Sequence, residues 1–235
     1  MLQKMVRASR PVKFFEQLGD RMKAFIFDMD GVIVDSEPLH SRVKMETFEH
    51  FGLHFDAGEL ERYMGRTSAD IFSDVLAREH RTDVTAEEIA DYKHRHYLEL
   101  VEQGALAPIP GSLALIERLR EAGVPLALAT SSWRRVVDTI LRDWHLLDAF
   151  QSVISGADLP KSKPDPAIYR LSAEALGIPP AACTVLEDTS SGVAAAKGAG
   201  MRCIGFRSPH SGAQDLSRAD VIVDDLSTID VARLK

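Results

Sequence analysis

The 235 residues include only two cysteines, Cys183 and Cys203. Two such widely spaced residues form no C-x-x-C metal pattern. Each lies in or beside an apolar, strand-like run, so both are expected as reduced, buried side chains. That usage suits a cytoplasmic location. Long apolar runs are missing as well. None approaches the ~20 residues that cross a bilayer, which excludes a helical membrane anchor. The chain has no basic excess, with 28 Lys and Arg against 35 Asp and Glu for a net charge of −7. A nucleic-acid partner would call for a basic patch or stripe, so none is expected. Residues 1–21 are basic through Lys4, Arg7, Arg10, Lys13 and Arg21 but lack the continuous apolar stretch of a secretory signal. They are expected to be a dispensable extension or a mis-called start, because Met22 stands directly before the first strand. No internal repeat or low-complexity tract occurs.

What is present is ordinary for an enzyme-sized globular chain: 45% hydrophobic and 27% charged residues. Such a chain can bury a sizeable core. Its acidic surface permits a monomer and leaves a dimer open. Lys23-Ala-Phe-Ile-Phe-Asp28 reads as a buried strand ending in acid. Further short apolar runs lie at 124–129, 152–154, 184–186, 202–206 and 219–223. Helical patterns separate most of them: 112–122 stopped by Gly123, 132–145, 166–176 stopped by Gly177, and 190–199 stopped by Gly200. Strand alternating with helix predicts an α/β fold with a parallel sheet covered on both faces. Ligands then bind beyond the carboxyl ends of the strands, where Asp28, Thr130 and Asp188 fall.

One crossover is far too long. The stretch from Asp28 to Val124 greatly exceeds the dozen or so residues that a parallel connection needs. Most of it reads as helix, including Thr85-x-x-Glu88 as a capping box. Residues 38–106 are therefore expected to form a helical insertion, with Pro108-Ile-Pro-Gly111 as a linker. The core is then 22–37 with 107–235.

Four short blocks carry the chemistry. In Asp28-Met29-Asp30-Gly31, two carboxylates stand two residues apart at a strand end. One can attack phosphorus while ionised; the other can be held protonated and donate to a leaving oxygen. Crowding pushes their pKa values apart, which favours that division. Mg²⁺ would screen a carboxylate approaching a phosphate dianion. Gly31 lets the chain leave the strand abruptly. Thr130, with Ser131 and Ser132, ends a strand where a hydroxyl and helix N–H groups can cup a phosphate, or can simply cap a helix. Lys163, ahead of Pro164, can neutralise both phosphate and attacking carboxylate; Lys161 is the nearby decoy. Glu187-Asp188 ends another strand and supplies carboxylates of the kind Mg²⁺ takes. Asp188 would share the ion with Asp28, while Glu187 could bind it directly, through water or not at all.

These four blocks, in this order over about residues 23–206, resemble the haloacid dehalogenase-like superfamily of phosphohydrolases. The run from Asp28 to Glu37, followed by Pro38-Leu39-His40, is similar to the branch of beta-phosphoglucomutases and sugar-phosphate phosphatases. The resemblance implies a Rossmann-like core with a helical cap inserted after the first strand. It implies Asp28 as a nucleophile that becomes an aspartyl-phosphate, and Asp30 as acid/base that also gives Mg²⁺ a backbone carbonyl. Thr130 and Lys163 match phosphate-holding positions, and Asp188 the metal-binding acid. In the cap, His40, the Gly65-Arg66-Thr67 turn and Lys93 fall where related enzymes touch substrate. Taken by itself, His40 reads equally as a plain helix residue, Arg66 as a solvated loop cation, and Lys93-His-Arg-His96 as a charged, solvated helix face.

Two departures bear on the reaction. Beta-phosphoglucomutases carry an Arg shortly beyond the cap glycine and a Lys shortly after the Ser/Thr block; Ser68 and Trp133 stand there here. Both changes weaken the clamp for a second phosphate. The expectation is therefore a Mg²⁺-dependent phosphatase for a small metabolite, a sugar phosphate as the class, with a phosphomutase as the alternative. A true dehalogenase would need no metal site and usually lacks the second Asp. A phospho-acceptor switch shares the Asp, hydroxyl, Lys and acidic ligands, but needs neither Asp30 nor a large helical lid.

Overall fold

The computed structural model describes residues 22–54 and 68–231; the proposed extension at 1–21 and the Gly65-Arg66-Thr67 turn lie outside them. Contacts divide the chain into two compact units, one made of the described residues up to Asp35 and from Pro108 onward, the other of Ser36–Ala107.

In chain order the described elements begin with β1 (Ala24–Phe27) and the short β2 (Val34–Asp35). The helices α1 (Glu37–His50), α2 (Ser68–Arg78) and α3 (Ala86–Glu102) follow, then β3 (Ala107–Pro108), which pairs with β2. The remainder alternates: α4 (Ser112–Glu121), β4 (Leu126–Thr130), α5 (Arg134–Asp143), β5 (Ser152–Ser155), α6 (Ala167–Leu176), β6 (Cys183–Glu187), α7 (Ser190–Gly198), β7 (Arg202–Phe206) and β8 (Val221–Val223). Six strands form one sheet in the order β5-β4-β1-β6-β7-β8, with every neighbouring pair parallel. This is the α/β fold that the alternating pattern predicts.

The sheet forms because its strands are apolar on both faces. All of β1, β4 and β6 is buried, as expected of strands with a helix layer on either side. On one face Ile26, Ala127, Val185 and Cys203 pack under Ile168, Tyr169, Val193 and Ala196 of α6 and α7. Alternation sends Phe25 and Phe27 to the other face, where Phe27 meets Phe150 edge-on at 6.1 Å. Burying each such aromatic contributes about 1.5–3 kcal/mol. The small residues of β4 and α7 let helix and sheet approach closely. Both cysteines are free and buried, and burial pushes the Cys183 thiol up to about 11.

The Ser36–Ala107 unit has a core of its own. Phe48, Ile71, Phe72, Val75 and Ile89 cluster among its helices, with Phe48 and Phe72 edge-to-face at 5.4 Å. The predicted capping box starts α3: the Glu88 N–H donates to Thr85 Oγ1 at 3.2 Å, and the Thr85 N–H donates to Glu88 Oε2 at 2.8 Å. Such a cap is worth about 1 kcal/mol. No helix among the described residues is long and apolar enough to cross a membrane.

Candidate active site

β1 stands between β4 and β6, so three strand ends converge at its carboxyl edge. The Asp28 N–H donates to Leu186 O at 3.0 Å, which extends the ladder and holds Asp28 at that edge. Thr130 is the last residue of β4, and Glu187 the last of β6 with Asp188 just beyond it. The loop after β5 brings in Lys163 through a cis Lys163-Pro164 bond.

Lys163 is the hub. Its Nζ donates to Asp28 Oδ1 at 2.6 Å, Glu187 Oε1 at 2.7 Å and Ala129 O at 3.2 Å. An ammonium has three donors, and all are spent. The side chain is 8% exposed and Glu187 fully buried, so these are interior ion pairs that water screens little. Burial works against the charge of Lys163, but Asp28 and Glu187 outweigh it and raise its pKa. Lys161 lies apart, exposed and near Asp165 at 3.9 Å.

Glu187 is saturated. Besides Lys163, Oε1 accepts from Tyr169 Oη at 2.7 Å; Oε2 accepts from the Asp188 N–H at 3.1 Å, the Thr189 N–H at 3.1 Å and Thr189 Oγ1 at 3.0 Å. Burial opposes its ionisation, yet Lys163 and these bonds prevail and hold its pKa below the ordinary value. Asp28 goes the other way. Its burial is the largest influence and raises its pKa well above the usual range; Lys163 opposes, while Glu187, Asp188 and Asp30 add to the rise.

Asp30 meets the Ser/Thr block. Its Oδ2 accepts from Ser132 Oγ and from Thr130 Oγ1 at 3.3 Å, and the Ser132 N–H donates to Thr130 Oγ1 at 3.0 Å. The hydroxyl that reaches the acid is thus Ser132, whereas Ser131 is exposed. Asp188 accepts from Ser211 on the loop after β7. Burial comes first in raising Asp188 to about 7, with Glu187 adding and the Ser211 bond and Lys163 opposing. Gly31 has a left-handed φ of 73°, and a Cβ there would overlap the Asp188 carboxylate, so close approach as well as the turn requires glycine.

The donor set fits a divalent cation. Oxygens of Asp28, Glu187 and Asp188 all lie within 4.8 Å of one another, and Asp28 and Asp188, unlike the saturated Glu187, keep lone pairs to spare. Asp188 Oδ1 and Asp30 Oδ1 are buried without a hydrogen-bond partner, an arrangement that is costly unless something else binds there. Around Asp28 the carboxylates of Glu187, Asp188 and Asp30 act against the one ammonium of Lys163 among the described residues, which leaves the cluster short of positive charge.

In the other unit, the His40 ring stacks on Tyr97 at 4.2 Å. Lys93 departs from the solvated-face reading: it is 8% exposed, because of its Lys-His-Arg-His stretch only Arg95 is well exposed, while Lys93 shares the inner face of the helix with Ile89, Ala90 and Tyr97. Burial first, then neighbouring Lys44, lowers its pKa to about 8, with Glu37 opposing. Arg66 lies outside the described residues. Trp133, at the first step into α5, is 43% exposed.

Sequence reasoning missed Tyr169 and Ser211 and left Ser132 ambiguous. Tyr169 had one signal, a lone phenol on the apolar face of α6. Ser211 had none, being one of several serines in a loop.

The Haloacid dehalogenase-like hydrolase family model matches residues 25–206. Validoxylamine A 7'-phosphate phosphatase of Streptomyces hygroscopicus subsp. limoneus is 30% identical over 209 residues, covering 88% of this chain and 95% of that protein. Beta-phosphoglucomutase of Bacillus subtilis is 32% identical over 215 residues, covering 88% and 92%. The crystal structure of CbbY from Rhodobacter sphaeroides in complex with phosphate superimposes with a TM-score of 0.75 at 29% identity, covering 91% of this chain and 99% of that one. A family match across most of the chain, on a fold and strand-end cluster of this kind, establishes that the protein is an enzyme of the haloacid dehalogenase-like hydrolase family.

Proposed function

We propose that the protein is a Mg²⁺-dependent phosphatase of small phosphate monoesters, with sugar phosphates as the substrate class. The observation that carries this reading is the buried strand-end cluster, in which Lys163 clamps Asp28 Oδ1 while Asp30 stands two residues on. Asp28 Oδ2 is the oxygen left to attack phosphorus in line. Asp30 protonates the leaving oxygen, then takes a proton from the water that hydrolyses the aspartyl-phosphate. Thr130, the 131–132 backbone and the charge of Lys163 hold the phosphoryl oxygens. Asp28, Asp188 and the Asp30 carbonyl would hold Mg²⁺, which when bound supplies positive charge against the phosphate and the crowded carboxylates. Residues 38–106 act as a cap, with His40, Arg66 and Lys93 as its substrate-sorting side chains. This assignment of the cap is supported by the resemblance, and for Lys93 by a burial that a solvated helix face does not explain. The small phosphorylated compounds in the relatives' names support the substrate class.

The test is phosphate release from a panel of sugar phosphates, with Mg²⁺ and with EDTA. Turnover is expected only with Mg²⁺, and Asp28→Asn is expected to lower it by at least about 10⁴-fold while leaving the protein folded. Substantial turnover in that variant would end the nucleophile assignment. The mutase among the relatives gives a second reading, phosphoryl transfer within a sugar. Isomerisation that needs a bisphosphate activator, without net phosphate release, would select it.

A further inference from the structure

We propose that Tyr169 is a positioning residue of this active site, acting through Glu187 on Lys163, and that Glu187 organises the ammonium rather than ligating the metal. The inference rests on the reading of Asp28 as nucleophile and deepens it. A carboxylate has about four lone-pair sites. Glu187 meets five donors: Lys163 Nζ and Tyr169 Oη on one oxygen, and two backbone N–H groups with Thr189 Oγ1 on the other. No lone pair remains for a metal. Asp188, one residue on, has the opposite character, with a buried oxygen that lacks a partner.

Tyr169 fixes the relay from below. It sits on α6, which packs against β4 and β5, and it is fully buried. Its hydroxyl donates to the same Glu187 oxygen that accepts from Lys163. Its ring lies under the ammonium, with Nζ 5.1 Å from the ring centroid, within cation–π range. One side chain thus sets both the acceptor and the floor for Lys163, whose third bond goes to the main chain at Ala129. Lys163 is thereby aimed at Asp28 Oδ1. The phenol is fully buried and its hydroxyl is spent on Glu187, so its effect on turnover passes through Glu187.

Tyr169→Phe keeps the ring and deletes only the hydroxyl. We expect kcat to fall about tenfold with KM within about twofold. Glu187→Gln should cost about 100-fold in kcat. The double variant should be no slower than about twofold below Glu187→Gln alone, because both changes break one relay. A purely structural tyrosine would instead lower thermal stability and multiply with the Glu187 effect. Calorimetric titration with Mg²⁺ alone should give both single variants a Kd within about threefold of the parent, while Asp188→Asn should lose detectable binding. A Tyr169→Phe enzyme with unchanged kcat, or multiplicative losses in the double variant, would overturn the role of Tyr169. Loss of Mg²⁺ binding in Glu187→Gln to the extent seen in Asp188→Asn would overturn the role of Glu187. Asp28→Asn run alongside separates the two readings: residual turnover there sinks the nucleophile, whereas an inactive Asp28→Asn beside an unaffected Tyr169→Phe sinks this inference alone. If Tyr169→Phe failed to fold, Thr189→Val, which removes a donor from the other Glu187 oxygen, would take its place with the same expected split between kcat and KM.

Discussion

Lys93 shows what burial does to a single charge. The residue is 8% exposed, and burial first, then Lys44, lowers its pKa to about 8, with Glu37 pulling the other way. An unfolded lysine titrates near 10.5, so between about pH 8 and pH 10.5 the unfolded chain binds the proton that the folded chain has lost. Stability from this group therefore rises with pH across that window, and below it the folded state carries the full cost of a buried cation. Lys93→Met removes that cost. We expect its stabilisation over the parent, read from urea melts, to be largest near pH 7 and to shrink by about 3 kcal/mol by pH 10. A constant difference across the series would show that the amine is not desolvated. The sequence could not reveal this, because a lysine among His and Arg looks the same on either face of a helix. Asp28 and Asp188 were legible as strand-end acids. The hydroxyls that hold Asp30 and Asp188, those of Ser132 and Ser211, were not, since hydroxyls in loops carry no pattern until the chain brings them together.

At the scale of an element, α7 is built around its neighbour's carboxylate. Thr189 caps it by accepting from the Gly192 N–H at 3.1 Å, while Glu187 occupies the space where a Gly192 side chain would stand. Alanine is the better helix former by about 1 kcal/mol. Gly192→Ala should therefore keep or strengthen α7, yet its Cβ overlaps Glu187 and must push it away from Lys163. We expect unchanged helical circular dichroism with kcat down by about 100-fold. Full activity would mean that Glu187 need not be where it is. The helices themselves were readable from the 3.6-residue spacing and from Gly123, Gly177 and Gly200 as stops, and the strands from short apolar runs. The edge strand β8 is shorter than its apolar run, because only Val221–Val223 pairs with β7. Gly192 looked in the sequence like one more small residue in a small-residue helix.

For the molecule as a whole, the proposed ion should link ligand binding to folding. A cation that binds the native cluster and not the unfolded chain adds about 2.7 kcal/mol at a hundred times its Kd. Millimolar Mg²⁺ should raise the thermal midpoint of the parent, EDTA should return it, and Asp188→Asn should not respond. An equal rise in that variant would place the ion elsewhere. The α/β class and the strand-end address of the site could be read from the order of elements alone. The sheet order β5-β4-β1-β6-β7-β8 could not, because pairing partners are set by packing of faces rather than by any local signal.

That order has a consequence for a chain still leaving the ribosome. The central strand is made first, but one of its two neighbours, β6, follows only after β4 and β5, and Lys163 emerges before the glutamate and helix that hold it. A nascent chain that stops short of Glu187 has both acids of its first block and Lys163, but lacks the carboxylate that orients the lysine. Turnover would then require a finished sheet.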